Sequence, residues 1–236
     1  MSGSGVSLED ARFRYEDMQM AFDVQVPEGT LAAVVGPSGS GKTTILNLIA
    51  GFETPVSGRV LIGGVDMAGK LPAERPVTML FQDHNLFAHL DVETNVGLGI
   101  SPALKLSGAE RERIRAALAR VGLESFGRRL PRELSGGERQ RVALARALVR
   151  DRPVMLLDEP FAALGPRLRR EMLDLVSDLH KERGMTVLFV THQPEDARRI
   201  ASHTLFVHDG RILAFRPTGA LFSARDIPEV AEYLGS

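Results

Sequence analysis

Short apolar runs rich in β-branched residues alternate along this chain with segments of helical period. Residues 31–35, 77–81, 154–158 and 186–191 are nearly continuous in apolar side chains, the pattern of strands covered on both faces. Helical segments follow three of them, at 43–50, 166–183 and 194–201. In the longest, Leu168, Met172, Leu175 and Leu179 recur at helical steps and predict an apolar stripe. Strand–helix alternation of this kind predicts an α/β fold with a mostly parallel sheet.

The start and the middle of the chain break the alternation. Residues 6–15 and 22–26, with Pro27-Glu28-Gly29 as a turn and 59–62 further on, predict an N-terminal antiparallel β subdomain. Residues 86–150 are mostly of helical period. Within them 109–121 places Ile114, Leu118 and Val121 on one side, and 138–150 forms a second segment. This block lies between two sheet strands, so it is expected as an inserted α-helical lobe of a single domain, 1–236, whose core is 6–85 with 151–216. Asp209-Gly210, inside 204–215, is a hairpin signal. Residues 217–236 are expected to form a short C-terminal tail.

Charge narrows the partners. With 29 Lys and Arg against 30 Asp and Glu, the net charge is −1, and no global field exists to capture nucleic acid or an anionic membrane. The absence of cysteine excludes a disulfide scaffold, a thiolate metal site and a cysteine nucleophile, and fits a reducing compartment. No apolar run approaches the roughly 18 residues that span a bilayer. Residues 1–5 have neither the basic nor the apolar region of a signal peptide and are expected to be a flexible leader. Any membrane role would then come through a partner.

Gly36-Pro37-Ser38-Gly39-Ser40-Gly41-Lys42-Thr43 matches the phosphate-loop pattern G-x-x-x-x-G-K-[ST] in full, with Thr44 following. The flanking elements are the required ones, a strand before and an apolar helix after. Glycines let backbone N–H groups converge on phosphate oxygens, and the helix start adds its partial positive charge. Lys42 offers a point charge to the β- and γ-phosphates, and the Thr43 hydroxyl can ligate Mg²⁺. The strand 154–158 ends in Asp158, followed by Glu159. Carboxylates at the end of a buried strand are costly without a cation. Asp158 is the candidate Mg²⁺ partner, and Glu159 the candidate for polarising an attacking water.

Asn47, Asn85 and Asn95 are the only asparagines and none precedes a lysine, so no Asn-Lys-x-Asp guanine-reading segment is present. Leu134-Ser135-Gly136-Gly137-Glu138 forms a Ser-Gly-Gly turn opening the helix 138–150, with free N–H groups at its start. A nucleotide cradled at Lys42 cannot readily reach this turn within one chain. It reads as a site offered to another subunit's nucleotide.

The stretch from Leu134 to Glu138 resembles the signature motif of the ATP-binding cassette (ABC) ATPases, and the other motifs stand in that family's order. Gln82 matches the glutamine loop and His192 the switch histidine, and Tyr15 sits where the family stacks an aromatic ring on adenine. Phe13 lies nearby, and either ring could belong to the core. The resemblance implies a phosphate-loop NTPase fold, ATP and Mg²⁺ as cofactors, and a head-to-tail homodimer. In it two ATPs lie between one copy's residues 36–44 and the other's Ser135, Gly136 and Gly137. It also implies catalytic roles for Glu159, His192 and Gln82, metal ligation by Thr43, Gln82 and Asp158, and a place on the cytoplasmic face of the bacterial inner membrane, against a permease fed by a substrate-binding protein. Leu86, Phe87 and Leu90 would present an apolar groove to that permease; plain core packing is the other reading.

One departure stands out. The family usually has Ser-Ala-Leu-Asp where this chain has Ala162-Ala163-Leu164-Gly165. The missing carboxylate puts coupling between the two ATP sites in doubt, and Gly165 could be left-handed. At a finer level the chain is most similar to the ATP-binding subunits of bacterial thiamine importers, in 47–52, 75–82, 95–99 and 102–106, although Asp83-His84 departs from the usual Glu-Asn. Too few residues follow the last strand for the regulatory domain of sugar-importer ATPases. The expected activity is ATP hydrolysis coupled to uptake of a small molecule, thiamine foremost. Another cargo, or an ATP-dependent dimerisation switch without transport, are the alternatives.

Overall fold

The computed structural model describes residues 5–15, 18–81, 85–162 and 164–235. In chain order, β1 (Val6–Tyr15), β2 (Met18–Val26) and β3 (Leu31–Val35) lead into α1 (Lys42–Ala50). β4 (Ser57–Ile62), β5 (Val65–Asp66) and β6 (Val77–Leu80) precede the helices α2 (Val92–Gly97), α3 (Gly108–Arg120) and α4 (Gly136–Val149). β7 (Val154–Asp158), α5 (Pro166–Arg183), β8 (Thr186–Val190) and α6 (Pro194–Ile200) follow. The chain closes with β9 (His203–His208), β10 (Arg211–Pro217), α7 (Thr218–Phe222) and α8 (Pro228–Leu234).

Among the described residues all strands join one sheet in the order β5-β4-β1-β2-β10-β9-β3-β8-β7-β6. One half is antiparallel, through β4, β1 and β2. The other is parallel, through β9, β3, β8, β7 and β6. β9 and β10 pair antiparallel across Asp209-Gly210, both with positive φ (44° and 70°), as a tight two-residue hairpin turn requires.

Residues of the parallel strands alternate between two cores with the two-residue period of a strand. Ala33, Met155, Leu157, Val187 and Phe189 face the core shared with α2–α8, whereas Val34, Val154, Leu156, Leu188 and Val190 face the other. That second core also contains Phe22, Val60, Ile62 and the apolar residues of α1. The sheet therefore curls around α1, which explains why Ile45, Leu46, Leu48 and Ile49 are buried on every side.

Several boundaries and packings depart from the sequence expectations. β6 stops at Leu80 and β8 at Val190; after β8 the Thr191 hydroxyl bonds Asp196. α4 begins at Gly136, two residues early, since Ser135 and Glu138 form a capping box. On α5 the buried stripe is Met172, Leu173, Val176 and Leu179, with Leu168 and Leu175 half-buried. Gly165, the residue before α5, is extended (φ −64°, ψ 158°) and not left-handed. In the C-terminal segment α7 and α8 form, and Leu221, Phe222, Ile227 and Val230 pack into the main core.

Candidate functional site

β3, β8 and β7 are neighbours in parallel register, with Val34 opposite Val190 and Val190 opposite Asp158. The residues that follow them, Gly36, His192 and Glu159, consequently emerge side by side at the carboxyl edge of the sheet, where open α/β sheets bind ligands. Chemistry-bearing residues far apart in sequence are joined there by strand register alone.

The loop 36–41 has the backbone that an anion cradle needs. Gly36 has φ of 147°, and a Cβ there would lie 1.9 Å from the Val207 carbonyl oxygen, so no other residue fits. Gly41, at φ 103°, opens α1. Lys42 is only 5% exposed. Its ammonium donates to the carbonyls of Gly36 (2.9 Å) and Pro37 (2.7 Å). Burial lowers its pKa, partly opposed by the charges of Glu159 and Asp158. The buried Ser40 hydroxyl oxygen has no protein partner among the described residues. A desolvated cation and an orphaned hydroxyl beneath a glycine-lined loop fit a phosphate ligand.

The Thr43 hydroxyl donates to Asp158 Oδ1 at 3.1 Å. Burial raises the Asp158 pKa; the Thr43 bond opposes it, and the nearby Glu159 charge adds to it. A carboxylate whose ionic form is penalised, beside a hydroxyl oxygen, is a hard-donor pair suited to Mg²⁺ that completes its shell with phosphate and water. Among the described residues no cluster of three or more His, Cys, Asp or Glu could hold a metal.

Glu159 adopts a left-handed backbone, φ 45°, which costs about 1–2 kcal/mol in a non-glycine residue. The distortion turns its carboxylate to His192, with Oε1 and Nε2 2.6 Å apart. Both side chains line a cleft of about 430 Å³ whose floor is Ser38, Gly39, Lys42 and Thr43, a volume suited to a nucleotide. Phe13, Met18 and Met20 line the far end. There Tyr15 is 60% exposed, while Phe13 packs against the core. Tyr15 thus presents its ring at the rim, and Pro37, Ser40 and Gly41 complete the loop into which Thr44 leads.

Ser135, Gly136 and Gly137 do not join this cleft. They start α4 elsewhere, where Ser135 Oγ accepts from the Glu138 amide (3.3 Å) and Glu138 accepts from the Ser135 amide (2.6 Å). That bond lowers the Glu138 pKa. Gly137 fits closely under Leu164, 2.9 Å from where a Cβ would sit. Gln82, Asp83, His84 and Ala163 lie outside the described residues. Of the expected apolar groove, Phe87 lines a cleft of about 210 Å³ with Phe81, Leu98 and Arg146, whereas Leu86 packs on the main core. The arginines of α4 bind backbone: Arg139 donates to Leu134, Arg141 to Val121 and Gly122, and Arg146 to Asn85.

Sequence patterns missed two supports of the site. Arg169, Thr191 and Asp196 form a buried network beside His192. The Tyr233 hydroxyl, from α8, reaches the His192 carbonyl at 3.5 Å, and burial raises its pKa. No motif spacing could reveal either, because Arg169 is 27 residues from Asp196 and Tyr233 is 41 from His192.

The family model described as ABC transporter matches residues 20–162. The chain belongs to the ABC transporter family. This cassette is 58% identical to the thiamine import ATP-binding protein of Mesorhizobium japonicum, over 100% of this chain and 94% of that one. It is 55% identical to the protein of that name in Rhizobium meliloti, over 100% and 99%. Among solved structures it resembles a dimeric ATP-binding cassette in a post-hydrolysis state bound to ADP and Pi. The TM-score is 0.82 at 30% identity, over 90% of this chain and 98% of that one. A bacterial ABC exporter with ATP bound gives TM-score 0.85 at 28% identity, over 99% of this chain but 42% of that chain. The fold of this cassette is therefore that of ATP-binding cassettes, and ATP is the nucleotide its family binds.

Proposed function

We propose that this cassette is the ATP-hydrolysing subunit of a bacterial thiamine importer, acting as a pair of copies at the cytoplasmic face of the membrane, against a permease served by a substrate-binding protein. The carrying observation for hydrolysis is the Glu159–His192 contact of 2.6 Å at the mouth of the phosphate-loop cleft. The shared name of relatives 58% and 55% identical over the whole chain supports the cargo.

In this reading Tyr15 stacks on the adenine, and the N–H groups of residues 36–44 with Lys42 hold the β- and γ-phosphates. Thr43 and Asp158, with Gln82, would hold Mg²⁺, which when bound would supply positive charge to the phosphates. Glu159 orients and polarises the attacking water, and His192 fixes the Glu159 carboxylate and the γ-phosphate. A second copy brings Ser135, Gly136 and Gly137 onto the same γ-phosphate through the N–H groups that open α4. Binding then closes the pair, and hydrolysis releases it. Closure and opening move the permease.

Glu159→Gln tests the hydrolytic assignment. It retains ATP binding, loses about 10²–10⁴-fold in turnover, and accumulates as a closed dimer in ATP and Mg²⁺ by light scattering. Hydrolysis at the parental rate removes Glu159 from the chemistry. Uptake of labelled thiamine into vesicles carrying the assembled importer tests the cargo. Equal uptake with and without a functional Lys42 overturns it.

A further inference from the structure

Beside the His192–Glu159 contact, α5 and α6 are joined by an ion pair shielded from water. Arg169 donates to Asp196 Oδ2 through Nε at 3.0 Å and also through Nη2. The Thr191 hydroxyl donates to the same oxygen at 2.8 Å and accepts the Gln193 amide at 3.1 Å. The residue before His192 is thereby fixed to the carboxylate, and the residue after it to the Thr191 hydroxyl. The two charged side chains are 13% and 9% exposed. A buried pair is seldom more stabilising than apolar packing of the same volume, so stability alone does not account for it. A cavity of about 90 Å³ separates the pair from the reacting edge, lined by Glu159, Arg169, Thr191, His192 and Asp196. Apolar side chains, Phe161, Leu173 and Phe189 among them, share the lining with these polar groups, and the cavity is large enough for waters, which occupy about 30 Å³ each.

We propose that Arg169 and Asp196 are positioning residues for hydrolysis. Through Thr191 they hold the His192 imidazole on Glu159, and they tie that contact to α5, whose first residues follow Leu164 and Gly165. Displacement of the start of α5 is transmitted to His192 through rigid, charge-assisted bonds and not only through the loop between β8 and α6. This inference rests on the hydrolytic reading of the site, because positioning has meaning only if His192 and Glu159 act on ATP.

The test is the double variant Arg169→Met with Asp196→Leu, which replaces the pair with apolar bulk and leaves no lone buried charge. In the full chain with Mg²⁺, circular dichroism and ATP affinity remain as in the parent. KM stays within about twofold, and kcat falls about 10–100-fold, the scale of a small misplacement at a reacting centre. In a His192→Ala background the same double change costs no further kcat, since the group being positioned is gone. Parental kcat in the folded variant overturns the proposal. So does a loss that multiplies with that of His192→Ala, which is the signature of a merely structural role. Thr191→Val, which keeps shape, removes the hydroxyl link to Asp196 and leaves the Arg169–Asp196 pair intact, supplies the same comparison should the double variant fail to fold. The two readings fail differently. A parent chain without ATPase activity, or with activity untouched by Glu159→Gln, sinks the hydrolytic reading; parental kcat in the pair variants, with Glu159→Gln inactive, sinks only the positioning.

Discussion

At the carboxyl edge of the parallel strands, burial disfavours the charged forms of Lys42 and Asp158, and Glu159 sits on a left-handed backbone. At the start of α4, Ser135 and Glu138 satisfy each other in an exposed capping box. The first region carries strain and desolvated charge that a nucleotide with its cation would relieve. The second is satisfied as it stands by its capping box. In the proposed function the cleft binds its nucleotide in cis, and the self-satisfied helix start receives the nucleotide held by another copy. The division of labour follows from where each motif sits relative to the sheet.

Lys42→Ala breaks the first region most. The phosphates lose their charge-assisted partner, worth about 1.5–3 kcal/mol, so ATP affinity by calorimetry falls at least about tenfold. Unchanged affinity would refute the phosphate-cradle assignment. Ser135→Arg does the reverse. Each monomer keeps its ATP affinity within about twofold, while the ATP-stabilised dimer disappears on light scattering and loss of the cap costs about 1 kcal/mol. Loss of binding by the isolated monomer would place the α4 start in cis and end the contrast.

Asp158→Asn sharpens the electrostatic half of the comparison. Because the folded Asp158 pKa lies above its unfolded value, the folded state holds the proton more tightly. Stability of the ligand-free chain then declines as pH rises from the ordinary aspartate range through the raised value. The amide removes that slope and raises Tm at neutral pH by roughly 2–4 °C, the shift about 1 kcal/mol produces in a chain of this size. A thermal-unfolding series against pH checks it, and an unchanged slope assigns the strain elsewhere.

Gly165→Asp carries the smallest stability effect. Gly165 is extended, with open space around its Cβ position, and aspartate is a favoured residue before a helix, better than glycine by a few tenths of a kcal/mol (about 0.3). Tm therefore holds or rises slightly, while the restored carboxylate raises the Hill coefficient for ATP hydrolysis. A stable variant with unaltered cooperativity makes Gly165 a neutral substitution.

The phosphate loop, the strand ending in Asp158 and Glu159, and the hairpin at Asp209-Gly210 were all legible in the sequence. Each rests on a local rule: glycines where φ must be positive, apolar runs bounded by acids, a two-residue turn. The start of α4 was misjudged by two residues, although Ser135 and Glu138 stand at capping-box spacing, because the glycines between them are poor helix formers that the cap overrides. The helices α7 and α8 carry no such local signal, because elements this short are stable only against the core, where Leu221 and Val230 are buried.

By itself the sequence determined the phosphate-loop motif, the parallel strands and the candidates for cradling phosphate, binding a cation and activating water, since those depend on neighbours in the chain. Only the tertiary structure decided which of them meet. Strand register brings Gly36, Glu159 and His192 to one edge, and the curl of the sheet buries Lys42 and so depresses its pKa. The pairing of Arg169 with Asp196 lies 27 residues apart in sequence. Register, burial and long-range charge pairing arise from contacts between distant segments, and no local pattern encodes them.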